Sequence, residues 1–352
     1  MKNNFYSKLL PYLYSSLLYF IIYTPSIVAP LNKLSITNQF SQLNISSIDF
    51  HINSPTLYLL GIIYEFEGKV DLFNIVLILI NFIFIIFIIK AIEFLDIYQY
   101  LFLASGWFLT SSWWIGYVDS ILVFCTIILF KQTNKEDKNS AILFFTVFLL
   151  SFSHYVLAFF IILILIILQT PNLKDFFPFI AGYLTGIIIN KLLLNFLNFD
   201  GVSRISYLID PNRNIFERTV ESISNNFFVV IFSAFMGMFF LLFIHSYNLQ
   251  NIRIFTSLAI AIFVTSLSLD TTRIMSVLVV PVLLKLLSDI SQETLDNKIN
   301  IKYQHLIMFI GVLTPFIFPN YHVWDNVVYT VSPFSEDSSF FTSLINILNK
   351  FF

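Results

Sequence analysis

From Leu72 to Ile89 the chain carries no charged side chain, and from Asn139 to Leu173 the only titratable imidazole or charged group is His154. Apolar runs of that length match the ~20 helical residues needed to cross a hydrocarbon core of ~30 Å. Charged residues are confined to short islands between such runs. They make up 11% of the 352 residues, against 57% hydrophobic, while a soluble domain carries about 25%. A water-facing surface cannot be built from so few. In lipid every backbone N–H and C=O must be satisfied within the protein, which leaves helices or a closed barrel. The strict apolar–polar alternation of barrel strands is absent, so the chain is expected to be an all-α, polytopic integral membrane protein of roughly nine to eleven transmembrane helices.

The expected spans are 9 to 29, 71 to 90, 98 to 113, 117 to 130, 140 to 153, 155 to 169, 176 to 196, 225 to 246, 252 to 269, 273 to 288 and 304 to 319. Regions 98 to 130 and 140 to 169 are long for one span and short for two. Each has polar punctuation near its middle, Gly116-Tyr117-Val118-Asp119 and Ser151-Phe152-Ser153-His154. Both read as hairpins of short helices, the alternative being one tilted helix in each. No repeat of fixed period and no Gly/Ser or Pro linker divides the sequence, so residues 1–352 form a single membrane domain.

Lysine and arginine in short loops set orientation. With the N-terminus in the cytoplasm, Lys2, Lys8, Lys90, Lys131, Lys135, Lys138, Lys174, Arg253, Lys285, Lys298 and Lys302 fall inside. Most of the remaining cations lie in or beside longer loops. This orientation puts the 31–70 loop, Asp119, His154, the 197–224 loop, Asp270, Arg273 and the 320–352 tail on the outer side. The apolar beginning of the chain reads as a retained first helix rather than a signal peptide. Net charge is −2, so no basic field recruits nucleic acid. Cys125, the lone cysteine, permits neither a disulfide nor a cysteine metal site. P-loop, GxGxxG, HExxH, CxxC and Gly-x-Ser-x-Gly patterns are absent.

The candidate residues sit in four places. In the first outer loop, Asp49 and His51 precede a stretch from Pro55 that is expected to form an amphipathic interfacial helix. Asp49 can serve as a general base or help to hold a divalent metal ion, and His51 can face substrate; solvated loop residues are the plain alternative. Asp119 follows Trp113-Trp114-Ile115-Gly116-Tyr117-Val118, where an acid at membrane depth is a functional candidate or a helix cap. His154, between two apolar halves, is a packing residue or a substrate contact. In Ser268-Leu269-Asp270-Thr271-Thr272-Arg273 the acid and the arginine can pair across one turn, or Arg273 can bind a phosphate. Arg204, Arg213 and Arg218 add further anion contacts in the long outer loop.

Taken together, Asp49 with Pro55-Thr56-Leu57-Tyr58-Leu59-Leu60, the Ser112–Ser120 turn, the break around His154 and the Asp270–Arg273 helix start resemble the GT-C type of polytopic glycosyltransferase. The resemblance spans most of residues 45 to 285. It implies a polyprenyl-phosphate-linked sugar as donor, a glycan or lipid acceptor, and transfer at the outer face of a bacterial cytoplasmic membrane. It also implies a catalytic or metal-site carboxylate at Asp49 and a lipid-phosphate contact at Arg273. Asp49 stands alone beside His51, where the family often has a stronger acidic signature. The chain is also similar to multi-span polymerases and ligases of surface polysaccharides. A lipid-linked-sugar flippase or carrier without covalent chemistry is a third reading, and it requires charged groups facing a continuous cavity at mid-depth.

Overall fold

The computed structural model describes residues 5–27, 30–41, 55–64, 66, 68–135, 137–169, 176–196, 214–236, 238, 250–295, 301–330 and 339–351. It is all-α apart from one small hairpin. In chain order come α1 (Phe5–Leu17), continued by a π turn at Leu18–Ile22, then α2 (Pro30–Ser41), α3 (Pro55–Ile63) and α4 (Val70–Ala91). A 3-10 turn leads into α5 (Gln99–Leu103), followed by α6 (Gly106–Trp113), α7 (Asp119–Thr133), α8 (Ser140–Gln169) and α9 (Phe176–Phe196). The second half holds α10 (Ile215–Phe235), α11 (Gln250–Thr265), α12 (Thr271–Leu278), α13 (Val280–Leu295) and α14 (Ile301–Ile317). Strands β1 (His322–Trp324) and β2 (Val327–Tyr329) and helix α15 (Phe340–Phe351) complete it.

Three helices, α4, α8 and α9, are each long and apolar enough to cross a membrane. A fourth candidate is the pair Thr271–Leu278 and Val280–Gln292, bent by 41° at its break. Leu9–Ile22, Ile252–Thr265, Met308–Ile317 and Phe340–Asn349 are shorter apolar helices. Helix α4 shows why such a segment is helical and where it ends. Its interior lacks Gly and Pro, and Asp71 in the first turn and Lys90 in the last complement the helix dipole.

Several expectations are revised. Region 98–130 is broken, as α5, α6 and α7, but 140–169 is one helix of 30 residues rather than a hairpin, distorted only at His154 (φ −158°, ψ 85°). There the His154 Nδ1 accepts a hydrogen bond from Leu157 N at 3.2 Å, so the side chain caps the second half of the helix it interrupts. Residues 215–224, expected in a loop, belong to α10. The helix at Pro55 forms, but without a polar outer face: Leu59, Ile62 and Ile63 are exposed while Leu57 and Leu60 are buried. Such an all-round apolar helix packs on protein with one side and leaves the other for an apolar medium. Within the 320–352 tail, β1 and β2 pair in register and Asn74 Nδ2 of α4 donates to Ser343 Oγ of α15 at 3.2 Å.

Helices α8 and α9 meet through Gly182 and Gly186, four apart on one face of α9. A Cβ at Gly186 would stand 2.0 Å from Ser151 Oγ and 2.7 Å from Phe148 O, and one at Gly182 would stand 2.6 Å from Phe144 O. This is the small-residue contact by which apolar helices associate where water supplies no driving force. Gly186→Val is expected to destabilise by about 1–3 kcal/mol through overpacking, whereas Ile188→Val on the exposed side costs little. Thermal unfolding of both variants in detergent checks this, and equal melting temperatures would contradict the close approach.

Candidate functional site

The level of the site follows from α7. Ser120 Oγ donates to Asn81 Oδ1 at 2.8 Å, and Lys131 Nζ donates to Ala91 O at 3.2 Å. Helix α7 therefore runs alongside the second half of α4 and begins about halfway along it. Asn81 also donates to Tyr19 OH (3.0 Å) and to Ser111 O (3.1 Å), which ties the π turn and α6 to the same level. Asp119, expected near the headgroups, thus stands level with the middle of α4.

Preceding α7, the backbone is broken at Trp114–Val118, and Gly116 takes φ +94°, open to residues without a side chain. The broken backbone is satisfied by neighbouring chain. Ser26 N donates to Ser112 O and Ile115 N to Ser26 O, while Trp113 Nε1 donates to Tyr23 O at 2.6 Å. Asp119 then occupies the first turn of α7, where the helix dipole favours a carboxylate.

Arg273, 4% exposed, completes the cluster from α12. Its Nε donates to Asp119 Oδ2 and its Nη1 to Asp270 Oδ2, each at 2.7 Å. The guanidinium also lies 3.9 Å from the centre of the Tyr117 ring and 5.6 Å from that of Trp114. The local Asp270–Arg273 pairing expected from their spacing is present. Asp270 sits at the N-cap of α12 but makes no side-chain cap bond, since its carboxylate is turned to Arg273. Two of the five N–H donors of Arg273 are thus engaged by carboxylates.

Above the cluster lies the hairpin. Thr271 Oγ1 donates to Val323 O (2.9 Å) and Thr272 Oγ1 accepts from Val323 N (2.8 Å), so two consecutive threonines satisfy both backbone groups of one strand residue. The turn Asp325-Asn326 has positive φ at both positions, the two-residue geometry that suits a twisted hairpin. Asp325 N bonds Leu269 O, Asn326 bonds Asn226, and Arg218 pairs with Asp325 at the surface. His322 is fully buried, and its Nε2 accepts from Trp114 Nε1 at 3.0 Å. Burial, and then the charge of Arg273, pull its pKa down to about 3.

Of the residues singled out in the sequence, Asp119, Asp270 and Arg273 come together. Arg218 is committed to the hairpin and His154 to the kink of α8. Asp49, His51, Arg204 and Arg213 lie outside the described residues, and the divalent-ion reading that rests on Asp49 lies there with them. Among the described residues no group of three His, Cys, Asp or Glu side chains is placed to hold a metal ion. Sequence reasoning missed His322, Trp324 and the threonines, although Asp325-Asn326 between apolar, β-rich triplets is a hairpin signal.

Comparison with protein-family models, with curated proteins and with solved structures finds no match. Fold and site define a class: an all-α chain of long apolar helices around a buried carboxylate–guanidinium–carboxylate cluster at broken helix ends.

Two outcomes test this geometry. Arg273→Gln leaves the buried Asp119 and the partly exposed Asp270 without their cation and is expected to cost about 3–5 kcal/mol, whereas Arg218→Gln, at an exposed pair, costs about 1 kcal/mol or less. Urea or thermal unfolding of both variants gives the comparison. His322 binds fewer protons when folded than when unfolded between its ordinary pKa of about 6.5 and the folded value of about 3. Stability should therefore fall as pH drops from 6.5 towards 3, by up to about 1.4 kcal/mol per unit, and His322→Gln should flatten that slope.

Proposed function

We propose that the chain is a polytopic membrane glycosyltransferase of the GT-C type. In this reading it transfers a sugar from a polyprenyl-phosphate donor to a glycan or lipid acceptor at the outer face of a bacterial cytoplasmic membrane. Its N-terminus is cytoplasmic, and the shorter apolar helices join α4, α8, α9 and the bent pair to give nine to eleven spans. The observation that carries the reading is the state of Asp119. One oxygen is fixed by Arg273, and the other, Oδ1, is buried with no partner among the described residues. The guanidinium fixes the direction of the carboxylate through a charge-assisted bond, and the second oxygen is then a proton acceptor of fixed direction.

The corresponding step balances with this chain's own groups. The acceptor hydroxyl gives its proton to Asp119 Oδ1 as its oxygen bonds the anomeric carbon. The bond from that carbon to the phosphate oxygen breaks, and the polyprenyl phosphate leaves with the electron pair as an anion that needs no proton. Asp119 is the general base, and Arg273 is the positioning residue that orients it. The polar break of α6 and α7, roofed by the hairpin on one side, supports an enclosed site rather than a path through the bundle.

One observation favours a second reading, a lipid-linked-sugar carrier: the cluster is level with the middle of α4, where carriers place substrate groups at the ends of broken helices. Reconstitution in nanodiscs with radiolabelled polyprenyl-phosphate sugars separates the two. Asp119→Asn retains Asp270 as counter-charge to Arg273 and so should fold, while transfer falls at least ~100-fold, within the usual range for a general base. Transfer undiminished in that variant would remove Asp119 from the chemistry. Vesicle-to-vesicle-side movement of labelled lipid without any transfer would favour the carrier.

A further inference from the structure

Asp119 Oδ1 is not the only polar atom of the cluster without a partner. His322 Nδ1 is likewise unpartnered among the described residues, on a side chain with 0% exposure. Which of its nitrogens carries the proton is fixed by its neighbour. Trp114 Nε1 is a donor only, so the His322 Nε2 that it meets at 3.0 Å must accept. The neutral ring then has its proton on Nδ1, where it is a buried donor with nothing to donate to. Both residues belong to one aromatic cluster: the His322 ring centre lies 5.1 Å from that of Trp114, and Trp114 and Tyr117 both face the guanidinium that holds Asp119.

A buried donor and a buried acceptor left open in one cluster are costly to the folded chain unless something fills them. The ligand must present the complementary pair, an acceptor and a donor, and a hydroxyl group presents both. A hydroxyl is also uncharged, and it needs no share of Arg273, which two carboxylates already engage. We infer that Asp119 Oδ1 and His322 Nδ1–H are the acceptor and donor of a recognition site for the hydroxyls of a sugar, with the β1–β2 hairpin as a working part of that site. This deepens the transferase reading and rests on it only for where the sugar comes from, donor or acceptor.

Substitutions at His322 distinguish ligand contact from structural support, because amides can replace one nitrogen at a time. His322→Gln places a carbonyl near the Nε2 position, keeping the Trp114 bond and losing the Nδ1 donor. His322→Asn places an amide N–H near Nδ1 and loses the Trp114 bond. The ring centres of Trp113 and Trp114 lie 6.2 and 5.1 Å from that of His322, and Trp324 packs on Trp114 at 5.8 Å, so three of the four tryptophans report on the site. The full chain in nanodiscs is titrated with methyl glycosides of glucose, galactose, mannose and N-acetylglucosamine, with glycerol as control, and tryptophan emission is followed. Wild type should respond saturably to at least one glycoside. His322→Gln should bind it at least about tenfold more weakly, the weight of one hydrogen bond, with an unchanged melting temperature, and His322→Asn should bind within about threefold but melt lower.

The reverse pattern, Gln silent and Asn without binding, would make His322 a structural residue. No saturable response to any glycoside would mean that the pair holds water alone; either result overturns the inference. Measuring KM for donor and acceptor in the transfer assay tells the two sugar sources apart, since only the one gripped here rises in His322→Gln. Glycoside binding by a wild type that performs no transfer would reject the transferase and leave this site standing. Transfer with both KM values unchanged in His322→Gln would do the opposite.

Discussion

A guanidinium buried to 4% exposure cannot be tolerated without counter-charge, and the placement of Asp119 and Asp270 around Arg273 is the condition on which much of this bundle rests. Removing a cation from water costs several kcal/mol, recovered only where geometry and hydrogen bonds are good. Arg273 has two charge-assisted bonds at 2.7 Å and a tyrosine face at 3.9 Å. To supply them, α7 must begin where it does, since Asp119 reaches Arg273 only from the first turn of a helix that starts halfway along α4. The Trp114–Val118 break is thus as much a requirement of the charge cluster as a property of Gly116.

Breaks of this kind bring their own demand, because each frees backbone groups that an apolar surrounding does not satisfy. The solution is to gather the irregular segments together. Ser26 exchanges backbone bonds with Ser112 and Ile115, Phe340 N bonds Pro25 O, and Thr271 and Thr272 take both groups of Val323. Non-helical chain from the beginning, middle and end of the sequence therefore packs beside the charged trio. The same arrangement places the hairpin: β1 is the partner that the start of α12 needs, and α10 holds the turn through Arg218, Ser222 and Asn226.

What could be read in advance divides along the range of the interactions. The all-α class follows from composition and from runs such as Leu72–Ile89, and the Asp270–Arg273 pair from a spacing of three. Asp119 and Arg273 are 154 residues apart, and nothing local to either announces the other. Apolar periodicity also fails in a chain like this one, since helices apolar on every side, such as α3, lose the polar face by which an interfacial helix is recognised. Two further signals lie in the sequence: Gly182 and Gly186, four apart where α9 meets α8, and the Asp325-Asn326 turn in the 320–352 tail. Asp49, His51, Arg204 and Arg213, four of the nine candidate residues, lie outside the described residues.

The charge of the trio constrains any reading in which a phosphate is bound. Arg273 has five N–H donors and uses two on carboxylates, beside the positive ends of α7 and α12. A phosphate there would have to compete with both carboxylates for the guanidinium. On the transferase reading the acceptor hydroxyl lies against Asp119, and the donor phosphate is then held by cations elsewhere. Separation of that kind is also what the chemistry asks for. A departing phosphate is better stabilised away from a carboxylate. On that reading Arg273 acts through the direction it gives Asp119, and the leaving group needs a cation other than Arg273.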